Sequence, residues 1–365
     1  MKWLRDKDIM NMFKIRGSYG EIGDDSAGSR WAYLTIWDAT DPFQMNVGNR
    51  NSSPFTGYKE STVASPDLRW ATVRKKNLGF DYAFLGGMFA GTFDWFRDDR
   101  YDIFISGSDR SVPSYYGAAK TPDVNKGKIK NYGFEVELRF NKVLNNGMRF
   151  WANTNYTFAR NTIKLKDDPE LIPSYRKAQG YAHGQYVSYI DNGFIGTYDQ
   201  LYSAPEFQSG DDQVLIGDHY IIDFNGDGVI DVTNDQAPVG YTGSPEHTYN
   251  ATIGWEWKGW SCFAQLYGVT GVTRDVTLTS FPDQLLTAYD TGNWWNPIDG
   301  DGEVVVPRFN TQATGGNNGT QFLFDGSYFR LKNVEVAYTW TKGWIKKLGF
   351  SSLKIYLNGN NLFRS

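Results

Sequence analysis

The chain of 365 residues carries 13 Trp, 23 Tyr, 24 Phe and 39 Gly, yet only 40% of it is hydrophobic and its mean hydropathy is -0.51. That length excludes a peptide-scale scaffold and allows one large domain, and no apolar run approaches the ~18–20 residues of a membrane-spanning helix. With 37 basic against 41 acidic residues and a net charge of -4, the chain has little attraction for a polyanion, which excludes nucleic acid as a partner.

In chain order, residues 1–17 mix both charges and lack the apolar core of a secretory signal, so no export signal is expected in the sequence as written. Nine strands follow, over 12–20, 68–85, 88–97, 131–141, 148–160, 247–258, 260–270, 327–340 and 351–362. Period-two alternation defines them. Leu78, Phe80, Tyr82 and Phe84 oppose Asn77, Gly79, Asp81 and Ala83, and Phe134, Val136, Leu138 and Phe140 oppose Glu135, Glu137, Arg139 and Asn141. Phe150 to Phe158 and Tyr249 to Trp257 repeat the pattern. A helical period over a comparable length is absent, apart from a short turn at Trp344 to Leu348.

Connections alternate in length. Gly86-Gly87, Asn145-Asn146-Gly147 and Lys258-Gly259 mark tight hairpins and 341–350 a modest turn, whereas 21–67, 98–130, 161–246 and 271–326 are long. Short turns at one end and long loops at the other is the arrangement of an antiparallel outer-membrane β-barrel, with short periplasmic turns and long extracellular loops. Soluble sandwich strands are shorter, typically about 5–6 residues. Because the edges of an open sheet cannot face hydrocarbon and bacterial barrels use even strand counts, nine strands read as part of a larger barrel.

The sharpest motif is Asp223 to Asp235. Asp223, Asn225, Asp227 and Asp231 fall at positions 1, 3, 5 and 9 of a calcium loop, Gly228 falls at the sharp turn, and Val229 offers a carbonyl. Position 12 is Asn234, and the nearest acid, Asp235, comes one residue late. Ca2+ is therefore the expected ion, with an ion-free turn closed by Asx hydrogen bonds as the alternative. In the loops, Tyr115, Tyr116, Tyr198, Tyr202, Trp294 and Trp295 are candidates for stacking on a ligand, or for small clusters that pin each loop. The paired acids Asp98-Asp99, Asp211-Asp212 and Glu135/Glu137 invite a glycosidase reading, but solvated or lumen-facing acids explain them better. A single Cys262, three scattered histidines and the lack of nucleotide, metalloprotease or serine-hydrolase motifs leave no catalytic centre to expect.

Residues 13–25, 77–99, 125–138, 223–231, 325–340 and 353–363, above all SYFRLKNV from Ser327 to Val334 followed by NNLF, closely resemble the C-terminal part of SusC/RagA-like TonB-dependent transporters. The resemblance spans nearly the whole chain in the family's order. It implies a 22-stranded outer-membrane barrel with an internal plug, of which the nine strands are the thirteenth to twenty-first. It also implies TonB-driven import of glycan or oligopeptide in Bacteroidetes-type bacteria, under a SusD-like lipoprotein lid. On this reading residues 1–365 are an internal barrel fragment without the plug, TonB-contacting segment or closing strand, and 161–246 is a long extracellular loop with a calcium-like turn. The expected chain is not an enzyme and faces outer-membrane lipid. The alternative is a secreted or surface carbohydrate-binding β protein with a calcium-stabilised loop.

Overall fold

The computed structural model describes residues 9–25, 31–40, 57–112, 121–208, 214–276, 295 and 319–365. Nine long strands form one antiparallel sheet in which each pairs only with its neighbours in the order β1 (Met10–Asp24), β2 (Ala71–Phe84), β3 (Phe89–Ile105), β4 (Val124–Val143), β5 (Arg149–Leu165), β6 (His247–Trp257), β7 (Trp260–Thr270), β8 (Tyr328–Trp340) and β9 (Leu353–Arg364). All nine fall where alternation places them. Four run further than expected at the long-loop end: β1 ends at Asp24, β3 continues through Asp98–Ile105, β4 begins at Val124, and β5 ends at Leu165. These extensions are charge-rich, so apolar alternation does not reveal them. They stay in the ladder because backbone pairing continues, with Asp99 opposite Lys130, while the Asp99 carboxylate is met by Arg97 at 2.9 Å.

The register sorts side chains onto two faces. On one, Ile15, Phe80, Phe93, Val136, Tyr156 and Tyr249 follow one another directly across six strands. Their rings touch, with Phe80 stacked on Phe93 at 5.1 Å and Phe134 against Phe158 at 5.7 Å. This face stays uncovered: Ile15 is 68% exposed and Leu357 79%. Water would oppose such a surface, and lipid accepts it. The other face is polar. Arg16 bridges Asp81 at 2.9 Å and Asp94 at 2.7 Å, Glu137 holds Arg139 at 2.7 Å, and Asn358 donates to Asn333 at 2.8 Å.

Four aromatic rings lie over the glycine directly opposite them, namely Tyr82 over Gly91, Phe96 over Gly133, Trp151 over Gly254 and Tyr249 over Gly268. A Cβ at any of these glycines would run into the ring, so the pairs occur on both faces as fitted units that fix register. At the short-turn end, Trp257 pairs with Trp260 across the two-residue loop Lys258 (φ 46°) and Gly259 (φ 91°), a type I′ hairpin. The 341–350 turn contains a short helix, Trp344–Lys347, with Ile345 fully buried.

The opposite end is elaborate. The long connections carry their own paired strands: Ile36–Thr40 with Gly57–Thr62, Gln185–Tyr189 with Gln236–Thr242, Asp191–Phe194 with His219–Ile221, Glu206–Phe207 with Val229–Ile230, and Thr273–Asp275 with Leu323–Asp325. Gly259→Ala tests the hairpin, since its Cβ would sit 2.8 Å from the Thr339 carbonyl oxygen at a backbone angle that favours glycine. We expect it to destabilise the folded protein by about 1–3 kcal/mol in a denaturant melt.

Candidate functional site

The described loop candidates, Tyr198, Tyr202, Trp295 and the Asp223–Asp235 turn, belong to the connections at the long-loop end. The core of this region is apolar: Tyr189, Ile221 and Ile230 pack together with Phe207, and Ile195, Val272 and Phe322 are almost fully buried nearby. A short helix, Tyr198–Ser203, starts at a capping box in which the Thr197 hydroxyl accepts from the Gln200 amide at 3.2 Å and the Gln200 side chain accepts from the Thr197 amide. Tyr198 and Tyr202 lie one turn apart on this helix, at 67% and 84% exposure. Both rings are therefore open for stacking. Trp295 is 8% exposed, while Tyr115, Tyr116 and Trp294 lie outside the described residues.

The long connections hold one another. Asn125 bonds the 57–70 segment, accepting from the Arg69 amide at 2.9 Å and donating to the Arg69 carbonyl at 2.8 Å and the Asp102 carbonyl at 2.7 Å. Asp167 takes Arg110 at 3.1 Å and Lys126, which ties 98–130 to 161–246. The Lys126 ammonium, followed by the Arg110 guanidinium, holds the Asp167 carboxyl below its ordinary value against the opposing effect of burial. Finally 161–246 joins 271–326: Tyr189 bridges Gly319, the Asp191 amide donates to the Thr320 hydroxyl at 2.9 Å, and the buried His219 ring meets Phe322 edge-on at 6.0 Å. His219 contacts Asp191 through Nδ1 at 3.2 Å, and its buried Nε2 has no partner. Sequence reading missed Asn125, Asp167 and His219, because each acts through a partner remote in the chain.

Clefts lie between these segments. One of about 380 Å³ runs between Ile163 at the end of β5 and the 166–187 segment, lined by Lys166, Tyr175, Arg176, Tyr181 and His183 among others. A second, of about 360 Å³, lies between residues 64–69 and 122–125.

The Asp223–Asp235 loop is closed by its own acids. Asp223 accepts from the amides of Gly226 and Gly228, each at 2.6 Å, Asp227 accepts from Val229 at 2.9 Å, and Asn225 donates its side-chain amide to Asp227 at 2.8 Å. Asp235, the acid one residue late, is fully buried and reaches back to accept from Phe224 at 2.8 Å and Asp231 at 2.7 Å. Tyr175 covers the loop, donating to the Asn234 carbonyl at 2.6 Å with its ring 4.7 Å from Phe224. Among the described residues, no group of three or more His, Cys, Asp or Glu side chains is gathered for a metal ion. The remaining paired acids are strand residues, with Asp99 held by Arg97 at 2.9 Å and Glu137 by Arg139, and Asp211 and Asp212 lie outside the described residues.

Two carboxyls of this loop sit below their ordinary value of 3.8. The Gly228 amide, with those of Gly226 and Asp227, lowers Asp223 against the effect of burial. At Asp231 burial acts upward and is outweighed by the Asn234 side chain and the Asn234 and Thr233 amides. A folded-state value depressed in this way contributes stability above the unfolded value, and that stability is lost as pH falls through the folded one. Amide exchange at Gly226, Gly228 and Thr233 is therefore expected to stay slow at pH 5 and to accelerate only below the ordinary carboxylate range, near about 3.9. Asp235→Ala leaves three amides without their acceptor and should open the loop at all pH values, costing about 1–3 kcal/mol per buried amide in the same exchange measurement.

The family model for the TonB dependent receptor-like β-barrel matches residues 8–362. The TonB-dependent receptor P3 of Formosa agariphila is 25% identical over 99% of this chain, and the TonB-dependent receptor SusC of Bacteroides thetaiotaomicron is 24% identical over 63% of it. The chain spans 35% and 22% of those two proteins. Among solved structures, the RagAB peptide transporter superposes over 100% of this chain and 38% of its own, at a TM-score of 0.63 and 18% identity, which speaks to the fold alone. The matched relatives are receptors and transporters, not enzymes. The apolar sheet face, the turn-and-loop polarity and these matches together carry the resemblance read from the sequence: the chain belongs to the TonB dependent receptor-like β-barrel family, of the SusC/RagA kind, and its place is the outer membrane.

Proposed function

We propose that this chain supplies wall and vestibule to a TonB-driven importer of nutrients, glycan or oligopeptide, that works with a SusD-like lipoprotein over its loop end. The observation that carries this reading is the division of the molecule. An outward apolar face and an inward polar face make up the sheet, and a mutually braced set of loops stands at one end of it. Cargo meets the clefts and the exposed pair Tyr198 and Tyr202, whose rings suit flat apolar ligand faces while neighbouring amides and carboxylates supply direction. Tyr115, Tyr116, Trp294 and Trp295 belong to the same vestibule in this reading. The RagAB relative is a peptide transporter, which supports import as the activity class and leaves glycan and oligopeptide both in play. The chain has no catalytic role here.

In the same proposal the Asp223–Asp235 loop takes calcium through Asp223, Asn225, Asp227, Asp231, Asp235 and the Val229 carbonyl. Its support is the oxygen series itself, with the buried Asp235 carboxylate turned back onto the amides of Phe224 and Asp231 inside the loop. The ion would stiffen the loop rather than act on cargo.

Two experiments test these readings on the full-length protein. Deleting residues 271–326 should abolish uptake while the barrel still inserts; uptake that survives the deletion removes the vestibule role from that loop. Terbium, a calcium surrogate, should give luminescence sensitised by Tyr175, and excess calcium should quench it, with Asp223→Asn abolishing the signal. A loop that takes neither ion is the ion-free Asx turn.

A further inference from the structure

The lipid-facing side of the sheet is unequal at its two ends. Beyond the apolar band, at the long-loop end of β1–β5, the register sets Tyr19, Lys76, Arg97, Tyr132 and Arg160 side by side. One step further out it sets Glu21, Arg74, Asp99 and Lys130 side by side. Both rows share the parity of Leu78, Trp95, Phe134 and Phe158, so they continue the lipid face and do not belong to the lumen. At the short-turn end the same face shows Phe84, Phe89, Phe140, Phe150, Trp255 and Trp260, with Lys142 as its charge. Aromatic girdles suit either interface. A cationic ladder at one end does not follow from that need.

The ladder also has depth. Asp99 and Glu246, which pair with Arg97 and Arg160, have side chains only 9% and 13% exposed, whereas Lys76, Arg97 and Arg160 are 46%, 38% and 47% exposed. These two acids therefore lie beneath their cations, whereas Glu21, 45% exposed, stands beside Arg74 and pairs with it. Lys130 and Lys128 carry no ion pair among the described residues; they stand over the rings of Tyr132 at 4.5 Å and Tyr101 at 5.9 Å. A ring beneath a cation holds it at the interface without neutralising it. Over β2–β5, an anion approaching along the lipid face meets ammonium and guanidinium groups first.

We propose that this ladder, built on Lys76, Arg97, Lys130 and Arg160, is a docking strip for the phosphate groups of lipids in the leaflet at the loop end. The chemistry is that of charge-assisted hydrogen bonds from Lys and Arg to phosphate oxygens, at the depth where the apolar band ends and headgroups begin. The strip depends on the barrel and its membrane, not on the import reading, so it stands or falls independently of cargo.

The test uses the full-length protein in detergent, with lipid A and the same lipid A after phosphatase treatment as probes, read by native mass spectrometry and by thermal shift. Lipid A should bind and raise the melting temperature, and the dephosphorylated form should bind about tenfold to a hundredfold more weakly. The variant Lys76→Gln/Lys128→Gln/Lys130→Gln leaves the Arg97–Asp99 pair in place and should weaken lipid A binding by a similar factor while keeping heat-modifiable migration of a folded barrel. The corresponding Lys→Arg variant should restore binding, and Lys142→Gln at the other end should leave it unchanged. Equal binding of both lipid A forms, or wild-type affinity in the folded triple Gln variant, would overturn the proposal. Displacement of lipid A by millimolar inorganic phosphate would overturn it too, by assigning the strip to free anions.

Discussion

Backbone amides and carbonyls have no partner in hydrocarbon, so a chain that crosses the membrane as strands must satisfy every one of them within the sheet. That constraint explains why nine successive strands pair only with their neighbours in chain order, and why alternate residues part so cleanly between a lipid face and a polar face. It also explains the rings laid over glycines. Where a tall aromatic such as Tyr249 leans across the ladder, the residue opposite must give up its Cβ, and Gly268 does. Register is fixed on both faces at once, because a slip of one residue would turn Arg16, Asp81 and Asp94 into lipid.

The sheet itself has little interior. Its apolar side chains are among the most exposed in the chain, and the densest burial lies in the loops, around Ile195, Ile221, Ile230, Val272 and Phe322. The two regions thus follow different physics. Lipid and the hydrogen-bonded ladder stabilise the wall, whereas an ordinary hydrophobic core, with capping and Asx turns, stabilises the loop unit. Asn125, Asp167 and the Tyr189–Gly319 bridge then connect loops that leave the sheet between different strand pairs. Loops braced in this way keep their clefts at set positions relative to the wall.

How much of this was legible depends on where each element gets its stability. The nine strands were legible because a lipid face imposes strict alternation, and Phe134 to Phe140 shows it without the structure. The upper ends of β1, β3, β4 and β5 were not, since Asp98 to Arg100 carry charge on both faces, Lys126, Lys128 and Lys130 put charge on one face where apolar residues were sought, and such stretches read as loop. The Asp223–Asp235 turn was legible from its spacing, yet the role of Asp235 was not: its burial and its reach back to the Phe224 amide depend on the curl of the whole loop. His219 was passed over as a scattered histidine, because Asp191 and Phe322, on either side of it, are 28 and 103 residues away.

The charge-rich strand ends show why a failure of pattern carries information. Alternation of apolar and polar residues stops at about Trp95 and Phe134, but the ladder goes on through Arg97, Asp99, Tyr132 and Lys130 with outward positions still occupied in register. The point where hydrophobicity ends while pairing continues marks the level at which the surroundings change from hydrocarbon to headgroup. At the short-turn end the two stop together, at Trp257 and Trp260 across a two-residue turn. The sheet therefore stands out of the bilayer on the loop side only. That overhang gives the loops a hydrogen-bonded base to build on, and it sets a row of outward cations where lipid phosphates lie.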